Sequence, residues 1–467
     1  MLIDWEGPKF TTLLVILATV IISIFLGQLI IGFSYKITLA LIFGVIIFLI
    51  TLVNTDAALA ILIFSMLLSP EILLGRVPGR DIVIRFDDIL LALITFTWLA
   101  KTAVNKGLAL FIKTPLNKAI IVYISICAVA TLRGMILGYI IPAKGFFYII
   151  RYAEYFLLYI LVANHIHSRK QINFFLRAFF ITCAIVSVYG ILQIPSGERV
   201  SAPFEGEIGE PNTFGGYLLF ILCLAIGILL QKVYQNLRLI LGGLGFLIFV
   251  PFLFTLSRAS YVGIVFSFLT FIIFSKRKVE LTIALAAVIL IVILLRPEAV
   301  FSRIKYTFQQ REAKSEKIGN VYLDPSASSR IRSWRLSFNT WKQNPILGRG
   351  VTGYFFIDGE YMRTLPELGV VGLLALLWLF WEIYKNSLRI YKQMNDELYK
   401  GLCLGFLAGF IGLTIHALTA NTFIIIRIME PFWFVAGIIM MLPMLKEELP
   451  EPSGQKQKKA PLSALSG

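Results

Sequence analysis

Runs of about twenty apolar residues recur along this chain from Thr11 to Leu445, and a helix of that length spans the hydrocarbon core of a bilayer. The sequence is 58% hydrophobic and only 15% charged, with a mean hydropathy of +0.82, a balance that excludes a soluble domain of this length. The reading is an all-α polytopic membrane protein with about fourteen spanning helices, and twelve as the lower bound. They are expected near 11–33, 36–53, 56–69, 84–102, 118–139, 146–165, 171–192, 213–231, 236–255, 258–275, 279–296, 364–387, 399–420 and 423–445. The first run is too long for a signal peptide and lacks a small-residue cleavage site, so it reads as a retained span. The third is short enough to be re-entrant. The expected organisation is helices over 1–296, a long loop over 297–363, helices over 364–446 and a disordered tail over 447–467.

The formal net charge is +16, but it is scattered through short loops and does not form a nucleic-acid patch. One set of alternate loops holds Lys101, Lys106, Lys113 and Lys118, then Arg169 and Lys170, Lys232 and Arg238, Lys276 to Lys278, and Lys385, Arg389, Lys392 and Lys400. The positive-inside rule puts these loops and both termini in the cytoplasm. The acidic turn Glu198 to Glu210 and the long segment Glu298 to Arg363 then lie outside. Cys127, Cys183, Cys223 and Cys403 sit inside apolar runs without metal-ligand spacing and read as packing residues.

This topology gathers ionisable residues at the outer helix ends: Arg151 and Glu154, Arg258, His416, and Arg427 with Glu430. Charge at membrane depth is costly and usually faces a cavity or a partner. Three arginines converging there suit an anionic ligand; snorkelling, or Arg151–Glu154 and Arg427–Glu430 pairing at helical spacing, is the other reading. Between Ser329 and Gly350 the chain reads SRIRSWRLSFNTWKQNPILGRG. Ile331, Trp334, Phe338 and Trp341 are expected to share one helical face, and Arg330, Arg332, Arg335, Lys342 and Arg349 another. Such a helix suits a bilayer surface and phosphate groups. Ser328 or Ser329 is its expected cap and Pro345 its stop.

That segment belongs to a series: RYAEYFLLY at Arg151–Tyr159, EPNTFGGYL at Glu210–Leu218, LSRASY at Leu256–Tyr261, the NPILGRG block, and DGEYMRTLPELGVVG at Asp358–Gly372. In order and spacing it resembles the O-antigen ligase/polymerase superfamily of bacterial membrane glycosyltransferases. The resemblance implies a GT-C-like bundle whose long extracytoplasmic loop carries the amphipathic helix. It implies a donor glycan on undecaprenyl pyrophosphate, attack by an acceptor hydroxyl, inversion at the anomeric carbon, and no cofactor, metal or nucleotide sugar. The site would lie on the periplasmic or extracellular face of the inner membrane.

Arginine forks fit phosphate oxygens, so Arg258, with Arg151, Arg332, Arg335 and Arg427, is the expected pyrophosphate-binding set. One departure stands out: where the family motif has His-Asn, this chain has Asp358-Gly359. Asp358 is either a base for the acceptor hydroxyl or a turn residue, with Glu367 and His416 as alternative catalytic groups. His165 and His167 fall on the cytoplasmic side. Glu360, Tyr361 and Asn212 are expected to position the acceptor or the loop, and Gly348, Gly350 and Gly353 to serve the backbone. The expected activity is polymerisation of O-antigen-like repeat units, with transfer of a finished glycan to lipid A-core as the alternative and anion transport as a distant third. Partners would be the lipid-linked donor, an acceptor glycan or lipid, membrane lipids and, for a polymerase, a chain-length regulator; nucleic acid is not among them.

Overall fold

The computed structural model describes residues 46, 49–51, 53–77, 80–104, 112–205, 209–283, 285–286, 317–318, 321–322, 325–355 and 357–445. The expected first span, nearly all of the second, most of 279–296 and the tail lie outside these residues. The described helices are α1 (Thr55–Leu68), α2 (Phe86–Val104), α3 (Asn117–Ile136), α4 (Pro142–His165), α5 (Arg169–Gln193), α6 (Pro211–Leu229), α7 (Gln235–Phe254), α8 (Arg258–Phe274), α9 (Pro325–Trp341), α10 (Glu360–Gln393), α11 (Glu397–His416) and α12 (Ile426–Met441). Among the described residues, eight helices are long and apolar enough to cross a membrane, and α1 and α8 are shorter apolar helices. The protein is an all-α polytopic membrane protein.

Two elements were not anticipated. Strands β1 (Glu71–Val77) and β2 (Arg80–Arg85) form an antiparallel hairpin between α1 and α2, and β3 (Lys317–Ile318) pairs with β4 (Val321–Tyr322). A turn dipeptide, Pro78-Gly79, set between ILL and IVI runs was the overlooked signal.

α6 and α12 form the centre of the bundle, 83% and 94% buried over their apolar windows, whereas α7 is peripheral at 28%. α6 packs on α11 through a glycine seam. A Cβ on Gly227 would sit 2.5 Å from Gly405 Cα, and one on Gly401 2.6 Å from Ile228 Cα. Gly401, Gly405 and Gly409 recur every fourth residue, the small-residue spacing that lets membrane helices approach closely. Around this seam Phe220, Phe406, Phe410, Phe423 and Phe432 pack ring against ring, and Trp433 joins them to Phe156 and Tyr159 of α4. All four cysteines are buried and free, as packing residues should be.

The helix-to-helix turns fall at two ends. One end carries the β1–β2 hairpin and the turns after α3, α5, α7 and α11. At the other, Asp56 meets His165 at 2.6 Å, Arg169 meets Asp396 at 3.1 Å, and Tyr391 donates to the Phe274 carbonyl.

Near the hairpin end α10 is broken. Gly369 sits at φ 68°, ψ −168°, just after Pro366. Proline and the left-handed glycine free several backbone groups, and residues 345–350 take them up. Val370 N donates to Pro345 O (2.9 Å) and Val371 N to Ile346 O (3.2 Å), while Arg349 N donates to Pro366 O (2.9 Å) and Gly350 N to Glu367 O (2.7 Å). A side chain at 369 would meet the Ile346 and Leu347 backbone, so glycine is required by conformation and by space.

Gly405→Val should destabilise the bundle by about 1–3 kcal/mol through overpacking. Gly242→Val, on α7 with open space beside it, should change little. Thermal unfolding in detergent measures both, and a wild-type midpoint for Gly405→Val would contradict the seam.

Candidate functional site

The sequence places its unusual charges at helix ends, and the fold brings them together at the hairpin end. The arginines there form two groups: those around α10 and α12, and those at the start of α8 and on α9.

Arg363 anchors the first group. It is almost fully buried, pairs with Glu367 and with Glu360 (2.5 Å), and donates to the Tyr152 hydroxyl (2.6 Å). Glu360 also accepts from Phe423 N (2.9 Å), and Glu367 from Thr352 N (3.1 Å). The spacing i, i+3, i+7 puts all three residues on one face of α10. Glu367 and Glu360 are both ion-pair partners of Arg363. Tyr361 likewise holds α10 to α11 by donating to Thr414 O (2.8 Å).

Arg427 is also engaged, through both terminal nitrogens. It donates to Leu67 O (3.0 Å), Pro203 O (3.0 Å), Phe204 O (2.9 Å) and Ser69 O (3.4 Å), and pairs with Glu71 (3.2 Å). Nearby, burial pushes the Glu205 carboxyl up to about 8 while Arg427, 3.9 Å away, pulls it down. Arg427 thus pins the start of the hairpin and the 203–205 turn, and it does not pair with Glu430. Arg151 does pair with Glu154 (3.2 Å), and with Asp88 (2.5 Å). Arg133 fixes the NPILGRG loop by donating to Gly348 O (2.7 Å) and Asn344 Oδ1 (3.2 Å).

The second group surrounds the start of α8. Arg258 is its first residue and is half-buried, behind a cap in which Ser257 accepts from Ser260 N. Arg199 reaches the same turn, donating to Thr255 O (3.0 Å), Asn212 Oδ1 (3.3 Å) and Leu256 O (3.5 Å). Asn212 lies in the first turn of α6, so the Arg199 guanidinium links the N-terminal turns of two helices, α6 and the α8 that Arg258 opens, each with its positive dipole end there. Sequence reading missed Arg199 because its segment was read as acidic.

Above this lies α9. It begins at Pro325, a residue suited to a first helical turn, so neither Ser328 nor Ser329 is the expected cap; it ends at Trp341, ahead of Pro345. Its seam on α10 centres on buried Ser337, whose hydroxyl donates to Met362 O (2.5 Å), whereas Phe338 is 44% exposed beside Trp341. The expected apolar face is therefore only partly packed. Trp334 Nε1 donates to Asp358 O (2.8 Å), and Arg330 lies 3.4 Å from the Asp358 carboxylate. Arg332 and Arg335 are exposed.

Asp358 is half-exposed, and Gly359 supplies the turn, with φ 104° at the head of α10. His416 is wholly buried, its Nδ1 2.7 Å from the Thr422 hydroxyl, close to the backbone of Asn212. Asp358 is open to solvent, whereas His416 is closed off from it.

Among the described residues, the left-handed non-glycine backbones are Phe204, Leu256 and Thr352. Each bonds a charged group of this end: Phe204 O to Arg427, Leu256 O to Arg199, and Thr352 N to Glu367. Backbone strain of this kind collects where the surroundings over-determine a site.

Residues 243–377 match a protein-family model described as O-Antigen ligase. The matched stretch runs from α7 into α10 and includes Arg258, α9, Asp358 and the broken helix. No curated protein matches the chain.

Arg363→Met would leave two buried carboxylates unpaired and should cost about 3–5 kcal/mol. Adding Glu360→Gln and Glu367→Gln should recover part of that loss in an unfolding titration. A single variant as stable as wild type would contradict the ion triad.

Proposed function

From the O-antigen ligase/polymerase superfamily that the family match supports, we propose that the chain is a metal-independent inverting glycosyltransferase that joins lipid-linked repeat units into a polymer. The donor is a glycan on undecaprenyl pyrophosphate and the acceptor a second glycan. The hairpin end faces the periplasm or exterior, with both termini in the cytoplasm.

The observation that carries this reading is the start of α8, where Arg258 lies within the matched segment and Arg199 is held on the same turn beside the α6 N-terminus. As the bond to the anomeric carbon breaks, negative charge grows on the leaving pyrophosphate, and preorganised donors lower that barrier. Arg332 and Arg335 on α9 supply further charge to the approaching headgroup. Asp358 orients the acceptor hydroxyl and receives its proton, with Arg330 and the Trp334 contact fixing its position. Attack then comes from the face opposite the departing pyrophosphate.

Reconstitution with a defined undecaprenyl-pyrophosphate glycan tests the reading. Chain extension is expected; transfer only to added lipid A-core would make the protein a ligase, and no transfer to either acceptor would refute both. Arg258→Lys keeps the charge but loses the fork, so turnover should fall about 10²-fold at unchanged membrane expression. Near-normal transfer would remove Arg258 from the donor site. Asp358→Asn should lower turnover about 10²-fold with little effect on donor binding; full activity would pass the role to another group.

A further inference from the structure

Where β2 runs into α2, four carboxylates and two guanidinium groups share one partly buried pocket of charge. Asp87, Asp88 and Glu430 each bring an oxygen within 4.8 Å of the others, and Glu154 joins them through Arg151. Facing them are Arg85, bound to Asp87 and 3.5 Å from Glu430, and Arg151, bound to Asp88 and Glu154. The next cation, Arg427, has acids of its own in Glu71 and Glu205. With all four acids ionised, the pocket carries two more negative charges than positive ones.

The oxygens show where the imbalance sits. Asp87 uses one oxygen on the Ser69 hydroxyl (2.9 Å) and the other on Arg85. Asp88 Oδ2 accepts from Arg85 N (2.9 Å) and Arg151 (2.5 Å). Asp88 Oδ1 and both oxygens of Glu430 have no hydrogen bond, and Glu430 is 0% exposed. Arg85 is shared between Asp87 and Glu430 and only partly offsets their charge, and buried oxygens without donors are rarely tolerated. An all-oxygen donor set within this span fits a hard divalent cation, which binds carboxylates at about 2.0–2.6 Å.

We propose that Asp87, Asp88 and Glu430 bind a divalent cation of the magnesium or calcium kind. The ion ties the foot of the hairpin and α2 to α12 and balances the charge beside Arg85 and Arg151. It is a structural counter-charge and takes no part in glycan transfer, so it is tested without any glycan.

The full chain, purified in detergent and stripped with a chelator, is titrated with Mg²⁺ or Ca²⁺ against NaCl at equal ionic strength. A saturable rise in unfolding midpoint of about 3 °C is expected. Paramagnetic resonance of added Mn²⁺ should show about one bound ion per chain. Glu430→Gln should lose both responses, and Glu382→Gln, which alters a carboxylate on α10 paired with Lys385, should keep them. Should Glu430→Gln fail to fold, Asp88→Asn takes its place. Wild-type protein that binds no Mn²⁺ and gains no stability overturns the site, as does a Glu430→Gln variant that responds like wild type. Neutralisation by protons alone would give that negative result.

Discussion

Four backbone hydrogen bonds between residues 345–350 and 366–371 set the geometry on which the rest of the hairpin end depends. A helix that breaks at membrane depth must return every freed amide and carbonyl to a partner, because lipid offers none. The loop does this, and in doing so fixes both the direction of α10 and the path of the chain leaving α9. Arg133 then clamps the loop from α3, and Arg363 ties the first turns of α10 to Tyr152 of α4. The NPILGRG and LPELGVVG blocks are thus two halves of one structural joint, which explains in physical terms why they occur together.

Much of the fold was legible because membrane thickness dictates helix length and leaves loops few places to fall. Most described spans begin and end within a few residues of their expected bounds. The β1–β2 hairpin was not legible as a membrane element, although a turn dipeptide between two β-rich runs was there to be found. The extent of α9 was also misjudged: periodicity located the helix, but Pro325 rather than a serine starts it.

The site was legible in type but less so in role. Sequence places arginines at helix ends, yet it does not show which partners each guanidinium finds across the bundle. Arg427 resembles a ligand arginine in sequence, and only coordinates reveal four carbonyls and Glu71 around it. Arg363 was passed over although Glu360 and Glu367 flank it at helical spacing, which already suggested a triad. Arg199 lay in a stretch judged by its acidic neighbours. Local spacing reveals pairs within one helix; the long-range partners that decide function come from different helices.

The reach of Arg427 has a consequence for how the chain is made. Its carbonyl partner at Leu67 lies 360 residues earlier, and that at Pro203 lies 224 residues earlier. The hairpin and the 203–205 turn therefore emerge from the ribosome long before the side chain that fastens them. Until α12 is synthesised and inserted, those carbonyls have no guanidinium, and the hairpin end stays unlatched. A protein truncated ahead of residue 427 would keep most of its spans yet lack this latch, so closure of these contacts waits for α12.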